Sequence, residues 1–141
     1  MKRETIADIC CILIIPMFLY ASFSKYFDWA GFHRAMFNQP FRHYLAWILI
    51  FTVPPMEIIA SILLMTKWRR LGFALSAILM FLFTGYIALI LLNFFPRVPC
   101  SCGGILQNMS WGQHLVFNIG FVLISATGVL IYKSNRVRQN I

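Results

Sequence analysis

Leu71 to Phe95 reads LGFALSAILMFLFTGYIALILLNFF, a run of twenty-five residues without a charged side chain. A bilayer's hydrocarbon core is about 30 Å thick, and a helix rising about 1.5 Å per residue crosses it in roughly 20 residues. This run is long enough to span. Outward from it, three further apolar stretches have spanning length: Ile6–Phe27, Tyr44–Thr66 and Gln113–Tyr132. The 141-residue chain is 60% hydrophobic and 11% charged, whereas a soluble domain carries about a quarter charged residues. Lipid, not water, is the solvent this composition fits. The first stretch could pass for a secretory signal, but Glu4 and Asp8 fall in its leading region and Pro16 interrupts it. No small-x-small cleavage site follows, so it reads as a helix of the working protein. The expected fold is an all-α, single-domain integral membrane protein over residues 1–141, an antiparallel four-helix bundle with short inner links and longer outer loops.

The net charge of +8 does not point to nucleic acid, because the basic residues form no patch or arginine-rich arm. They stand in short clusters between the apolar runs, the pattern of a topology signal. Lys2, Arg3, Lys67, Arg69, Arg70, Lys133, Arg136 and Arg138 lie on the side of the termini; Lys25, Arg34, Arg42 and Arg97 lie on the other. The positive-inside rule then places both termini in the cytoplasm. The loops 28–43 and 96–112 then face the periplasm or cell exterior, and Trp68-Arg69-Arg70 marks a tight hairpin on the inner side.

The second outer loop carries Pro96-Arg97-Val98-Pro99-Cys100-Ser101-Cys102-Gly103-Gly104. The prolines are expected to stop the third span, and the glycines to free the backbone after the cysteines. Cysteines at i and i+2 close a disulfide only if the chain bends. So small a ring is strained, and strained disulfides are the labile, catalytic or regulatory kind. Three other readings stand beside redox exchange. The pair could be a static bridge, although so short a ring removes little chain entropy. It could be half of a zinc site with His114 and His33 or His43, although the spacing is tighter than usual. It could be two free thiols, which an oxidising compartment disfavours. Ser110-Trp111-Gly112-Gln113 fits a capping box, so the fourth span is expected to begin at Ser110. His114 and Asn118 follow one turn apart on one face in the outer leaflet. His114 could shuttle protons for thiol exchange with Asn118 orienting it, or serve as a polar anchor at the headgroups. Cys10 and Cys11 read as packing residues near the cytoplasmic end of the first span.

Within the second span, Val53-Pro54-Pro55-Met56-Glu57 places an acid near the membrane midplane. A charge there is costly, so Glu57 should be protonated or paired and should face the bundle interior. The prolines deprive the carbonyls of Ile50 and Phe51 of donors and are expected to kink the helix. Ser76, Thr84 and Tyr86 could share the interior with Glu57. Glu57, Tyr86 and Asn118 are then candidate cavity-lining residues for a cofactor, or Glu57 is a structural acid that fixes helix register. Lys25, at the outer end of the first span, reads as a snorkelling anchor.

Val98-Pro99-Cys100-Ser101-Cys102-Gly103 after the third span, Pro54 with Glu57 in the second and Ser24-Lys25-Tyr26-Phe27 ending the first resemble the MauE/DoxX group of redox-associated membrane proteins. The resemblance covers nearly the whole chain. MauE proteins serve the maturation of the disulfide-rich small subunit of methylamine dehydrogenase beside a thioredoxin-like partner. DoxX and DoxD relatives are associated with thiosulfate:quinone oxidoreduction. The resemblance implies a redox role for Cys100 and Cys102 and makes Glu57 the shared intramembrane acid. The leading expectation is thiol–disulfide exchange with a periplasmic thioredoxin-like or client protein, a lipid quinone being the candidate electron acceptor. A non-enzymatic subunit of a larger complex and a quinone-linked oxidoreductase acting on a sulfur compound are the alternatives. No resident metal is expected.

Overall fold

The computed structural model describes residues 2–94 and 110–139, with side chains as far as Lys133. Among them every regular element is a helix: α1 (Arg3–Phe27), α2 (Trp29–Phe37), α3 (His43–Met65), α4 (Arg69–Leu91) and α5 (Trp111–Gln139). Helices α1, α3, α4 and α5 are long and apolar enough to cross a membrane. In hydrocarbon a helix is favoured because it satisfies its own backbone donors and acceptors. Large apolar side chains such as Ile12, Ile62, Phe81 and Leu123 stay exposed on these helices, where they meet lipid. The chain is a multi-pass membrane protein.

Helices α1 and α4 each pack against both α3 and α5, closing a ring in the order α1–α3–α4–α5. The core stripe of α1 is Ala7, Cys10, Cys11, Ile14 and Phe18, which meets Ala60 and Leu64 of α3 and Phe73, Leu79 and Met80 of α4. Spacings of three and four residues put these side chains on one helical face. Cys10 and Cys11 are free thiols buried in this stripe, where they act as small apolar packing groups.

Two glycines set how closely the helices approach. A Cβ on Gly72 would lie 2.8 Å from the backbone nitrogen of Leu64, and one on Gly128 would fall 2.2 Å from the Phe73 ring. The tight hairpin between α3 and α4 therefore needs a bare backbone at 72. Helix α3 runs from His43 to Met65 as one helix with Pro54 and Pro55 inside it.

Three helix boundaries carry local logic. The span that begins near Leu71 ends at Leu91, short of Phe95. Asn93 takes a left-handed φ of 56°. Its N–H donates to the Ile90 carbonyl at 3.1 Å, and the Phe94 N–H donates to that of Leu89 at 3.1 Å. That is a Schellman stop with asparagine in the usual glycine place, reached before Pro96. The capping box at α5 forms as expected: the Ser110 N–H donates to Gln113 Oε1 at 3.0 Å, and the Gln113 N–H donates to Ser110 Oγ at 3.2 Å. Helix α2, by contrast, lies inside what the sequence reads as an outer loop. Asp28 caps it, accepting from the Gly31 N–H at 3.1 Å, and Phe32 and Met36 bury against Ala46 and Ile50 of α3.

Gly72→Ala should lower the thermal unfolding midpoint of the purified protein in detergent. Gly85→Ala should leave it unchanged, since a Cβ there meets nothing within 4 Å.

Candidate functional site

The polar centre of the bundle lies between α1 and α3. Lys25 Nζ donates to Glu57 Oε1 at 2.9 Å and Oε2 at 3.1 Å, and to the Ala21 carbonyl at 3.1 Å. Glu57 is 2% exposed and the Lys25 side chain 15%. Ser22 Oγ donates to the Pro54 carbonyl at 3.0 Å, and Cys11 Sγ lies 3.9 Å from the Leu64 carbonyl. The last two contacts fix an antiparallel register in which the Cα atoms of Lys25 and Glu57 stand about 9 Å apart along the axis. Each Cα–Cβ bond tilts toward its own helix N-terminus, so on antiparallel helices these two side chains lean toward each other and close that gap. Lys25 is therefore no snorkelling anchor. It turns inward, because the carboxylate it meets lies deeper in the membrane than its own Cα.

Depth follows from the same register. Arg69 Nη1 lies 2.5 Å from Asp8 Oδ1 at the end of the bundle that holds the α3–α4 hairpin. Ala21 is about 20 Å further along α1 from Asp8, well inside a core about 30 Å thick. An aromatic belt marks the opposite edge. Trp29, His33, Trp47 and Phe51 form a closed circuit of ring contacts with centroids 5.1, 5.2, 5.8 and 6.0 Å apart, and Tyr26 stacks on Trp29 at 5.9 Å. Rings of this kind gather at membrane interfaces.

Helix α2 roofs the ion pair from that edge. The Phe32 ring lies 6.0 Å from Lys25 Nζ, near the limit of a cation–π contact. At its far end, Gln39 Nε2 donates to the Ala35 carbonyl at 3.1 Å, and Gln39 Oε1 accepts from the Tyr86 hydroxyl of α4. Tyr86 thus pins the roof to α4 and does not join Glu57. Ser76 and Thr84 do not join it either; they donate to the Gly72 and Met80 carbonyls of their own helix, at 2.7 and 2.6 Å. Intrahelical carbonyls are the nearest acceptors a hydroxyl can reach in hydrocarbon, and they win.

Cys100 and Cys102 lie outside the described residues, in the segment that links α4 to α5. His114 and Asn118 are each 7% exposed, on the inward face of α5. His114 Nε2 is buried without a hydrogen-bond partner. The His33 ring packs between Trp29 and Trp47, and that of His43 against Phe37. A polar cleft of about 360 Å³ opens at the Asp8–Arg69 end, lined by Glu4, Ala7, Asp8, Arg69, Ile131 and Tyr132. It lies at the opposite end from α2.

The sequence reading missed three participants: Lys25 as ion-pair partner, Gln39 as the acceptor of Tyr86, and α2 itself. A signal for α2 was present, since Asp28 precedes Trp29, Phe32 and Met36 at helical spacing. Nothing local marks Lys25 or Gln39, whose partners are 32 and 47 residues distant.

Four spanning helices closed around an intramembrane ion pair define a small polytopic membrane protein. The chain belongs to the MauE family: the family model described as methylamine utilisation protein MauE matches residues 3–131. No curated protein and no solved structure matches it.

Removing one member of a buried pair strands the other charge, at a cost of about 3–5 kcal/mol. Lys25→Met or Glu57→Leu alone should destabilise the protein on that scale in reversible detergent unfolding. The double substitution should recover most of the loss.

Proposed function

We propose that this protein is a thiol–disulfide redox protein of the bacterial inner membrane, with both termini in the cytoplasm and Cys100 and Cys102 on the periplasmic side. The observation that carries this reading is the Cys-x-Cys-Gly motif in the segment that links α4 to α5, in a chain that belongs to the MauE family. The orientation draws support from the charges. Lys67, Arg69 and Arg70 cluster at or beside the α3–α4 hairpin, on the side of Lys2 and Arg3, and basic residues of short loops stay in the cytoplasm.

In the reaction, a thiolate of the outer pair attacks a disulfide sulfur of a periplasmic partner, or the reverse, through a mixed disulfide. For net oxidation of a client, a client dithiol loses two electrons and two protons and gains an S–S bond, while the Cys100–Cys102 disulfide becomes two thiols. The partner is a thioredoxin-like protein or a disulfide-bearing client. Reoxidation needs a two-electron acceptor, for which a lipid quinone is suited by its place in the membrane. His114 is near in sequence to the pair and can take a thiol proton. Glu57 and Lys25 hold the frame on which the outer segment is mounted.

Cys100→Ser and Cys102→Ser, introduced singly in cells, should divide the behaviour of the pair. One variant should accumulate a mixed disulfide with a periplasmic protein, seen on a non-reducing gel and dissolved by dithiothreitol. Full function of the double serine variant would overturn this reading and leave a non-enzymatic membrane subunit in its place.

A further inference from the structure

The chain has four acidic residues, and two of them are accounted for: Asp28 caps α2 and Glu57 pairs with Lys25. The other two, Glu4 and Asp8, line one cleft of about 360 Å³ with Ala7, Arg69, Ile131 and Tyr132. They are one turn apart on α1, a rise of about 6 Å on one helical face. A helix N-terminus attracts acids, but that attraction does not gather them around a cavity with a guanidinium and a phenol. Lys2, Arg3, Lys67, Arg70 and Lys133 stand at the same end of the bundle, so acid there is confined to the cleft.

The cleft lies at the edge of the hydrocarbon. Asp8 stands about 27 Å along α1 from Tyr26 of the aromatic belt, and a core about 30 Å thick that begins at the belt ends beside Asp8. Groups in the cleft are therefore level with lipid head groups. They also have bonding capacity to offer. Asp8 and Arg69 meet through one contact, Nη1 to Oδ1 at 2.5 Å, and their side chains stay 54% and 37% exposed. A carboxylate accepts at two oxygens and a guanidinium carries five N–H donors. Tyr132, whose hydroxyl accepts from Arg69, keeps its own O–H to donate, and its ring is held by Phe73 of α4 with centroids 5.9 Å apart.

We infer that this cleft binds the head group of an aminophospholipid, a phosphate ester that ends in a primary ammonium. The ammonium donates to Glu4 and Asp8. The phosphate oxygens accept from Arg69, whose planar fork suits them, and from the Tyr132 hydroxyl. Acceptors on α1 and donors on α4 and α5 thus match the two ends of the head group. The volume is that of a small-ligand site, about 300–1,000 Å³. Other head groups fit less well. A trimethylammonium has no N–H for the carboxylates, and an anionic head group without an amine meets two like charges. A purely basic pocket would select that anionic class. This site does not depend on the redox reading above.

The test uses the full chain, stripped of lipid in detergent and titrated with phosphatidylethanolamine, phosphatidylcholine or phosphatidylglycerol of the same acyl chains. Bound adducts are counted by native mass spectrometry. The ethanolamine lipid should bind about tenfold more tightly than either other, since it alone brings N–H donors to two carboxylates. Glu4→Gln leaves the Asp8–Arg69 pair in place, so the lipid-free unfolding midpoint should not move. It should weaken the ethanolamine lipid about fivefold, as loss of one charge-assisted hydrogen bond predicts, and leave the choline lipid unchanged. Tyr132→Phe should weaken all three lipids alike, because the phosphate is common to them. Glycerophosphoethanolamine, the same head group without chains, should compete only weakly; binding as tight as the lipid's would make the ligand a soluble phosphate ester and overturn the lipid assignment. Equal affinity for the three lipids, or a Glu4→Gln chain that keeps the full ethanolamine preference, overturns the site.

Discussion

Two opposite charges can stay inside hydrocarbon if they satisfy each other and their remaining protons, and Lys25 and Glu57 meet that condition by geometry. Their Cα atoms are not level across the α1–α3 interface; the side chains lean together because antiparallel helices tilt their Cα–Cβ bonds in opposite senses. A shift of α1 against α3 by one turn, about 5.4 Å, would separate the charges in a medium that penalises separation heavily. The pair therefore does for register what apolar packing does weakly, since lipid tails are as apolar as the side chains they would replace. Ser22 on the Pro54 carbonyl holds the same interface one turn away. Much of the remaining architecture is arranged around this contact: α2 covers it through Phe32, and Tyr86 with Gln39 ties the cover to α4.

The bundle also has two chemically distinct ends. At one, Asp8 and Arg69 tie α1 to α4 beside a polar cleft. At the other, aromatic rings of α1, α2 and α3 form the belt, and α5 begins with its capping box and His114. The first end closes with the hairpin at Gly72, where backbones touch. At the second, among the described residues, a short helix and ring contacts cover the ion pair.

Polar accounting explains which groups are structural and which are available. Several hydroxyls in the spans, those of Ser61, Ser76 and Thr84 among them, find a carbonyl one turn back, so they carry no message about function however suggestive their positions look in the sequence. Ser76 and Thr84 are of this kind. Ser22 instead reaches across to α3, and among the described residues Ser125 Oγ and His114 Nε2 are buried without a partner. His114 differs from Ser125 in kind as well as place, because an imidazole can exchange a proton and stands near the membrane edge, next to the segment that holds the cysteines.

By itself the sequence determined the solvent, the number of spans, the family likeness and the capping of α5. Each of these is written in local composition or in short spacings: twenty apolar residues, a Ser-x-x-Gln box, a Cys-x-Cys-Gly run. It also marked Glu57 as an acid that had to be protonated or paired. Only the tertiary structure decided which residue answers it. Lys25 looks like an interfacial anchor because it is near the end of its helix, and its true direction depends on the register of α1 against α3. The same holds for Tyr86, whose partner Gln39 becomes a neighbour only once α2 has folded over the bundle. Helix-to-helix register is set by contacts between residues far apart in the chain, and no local pattern records it.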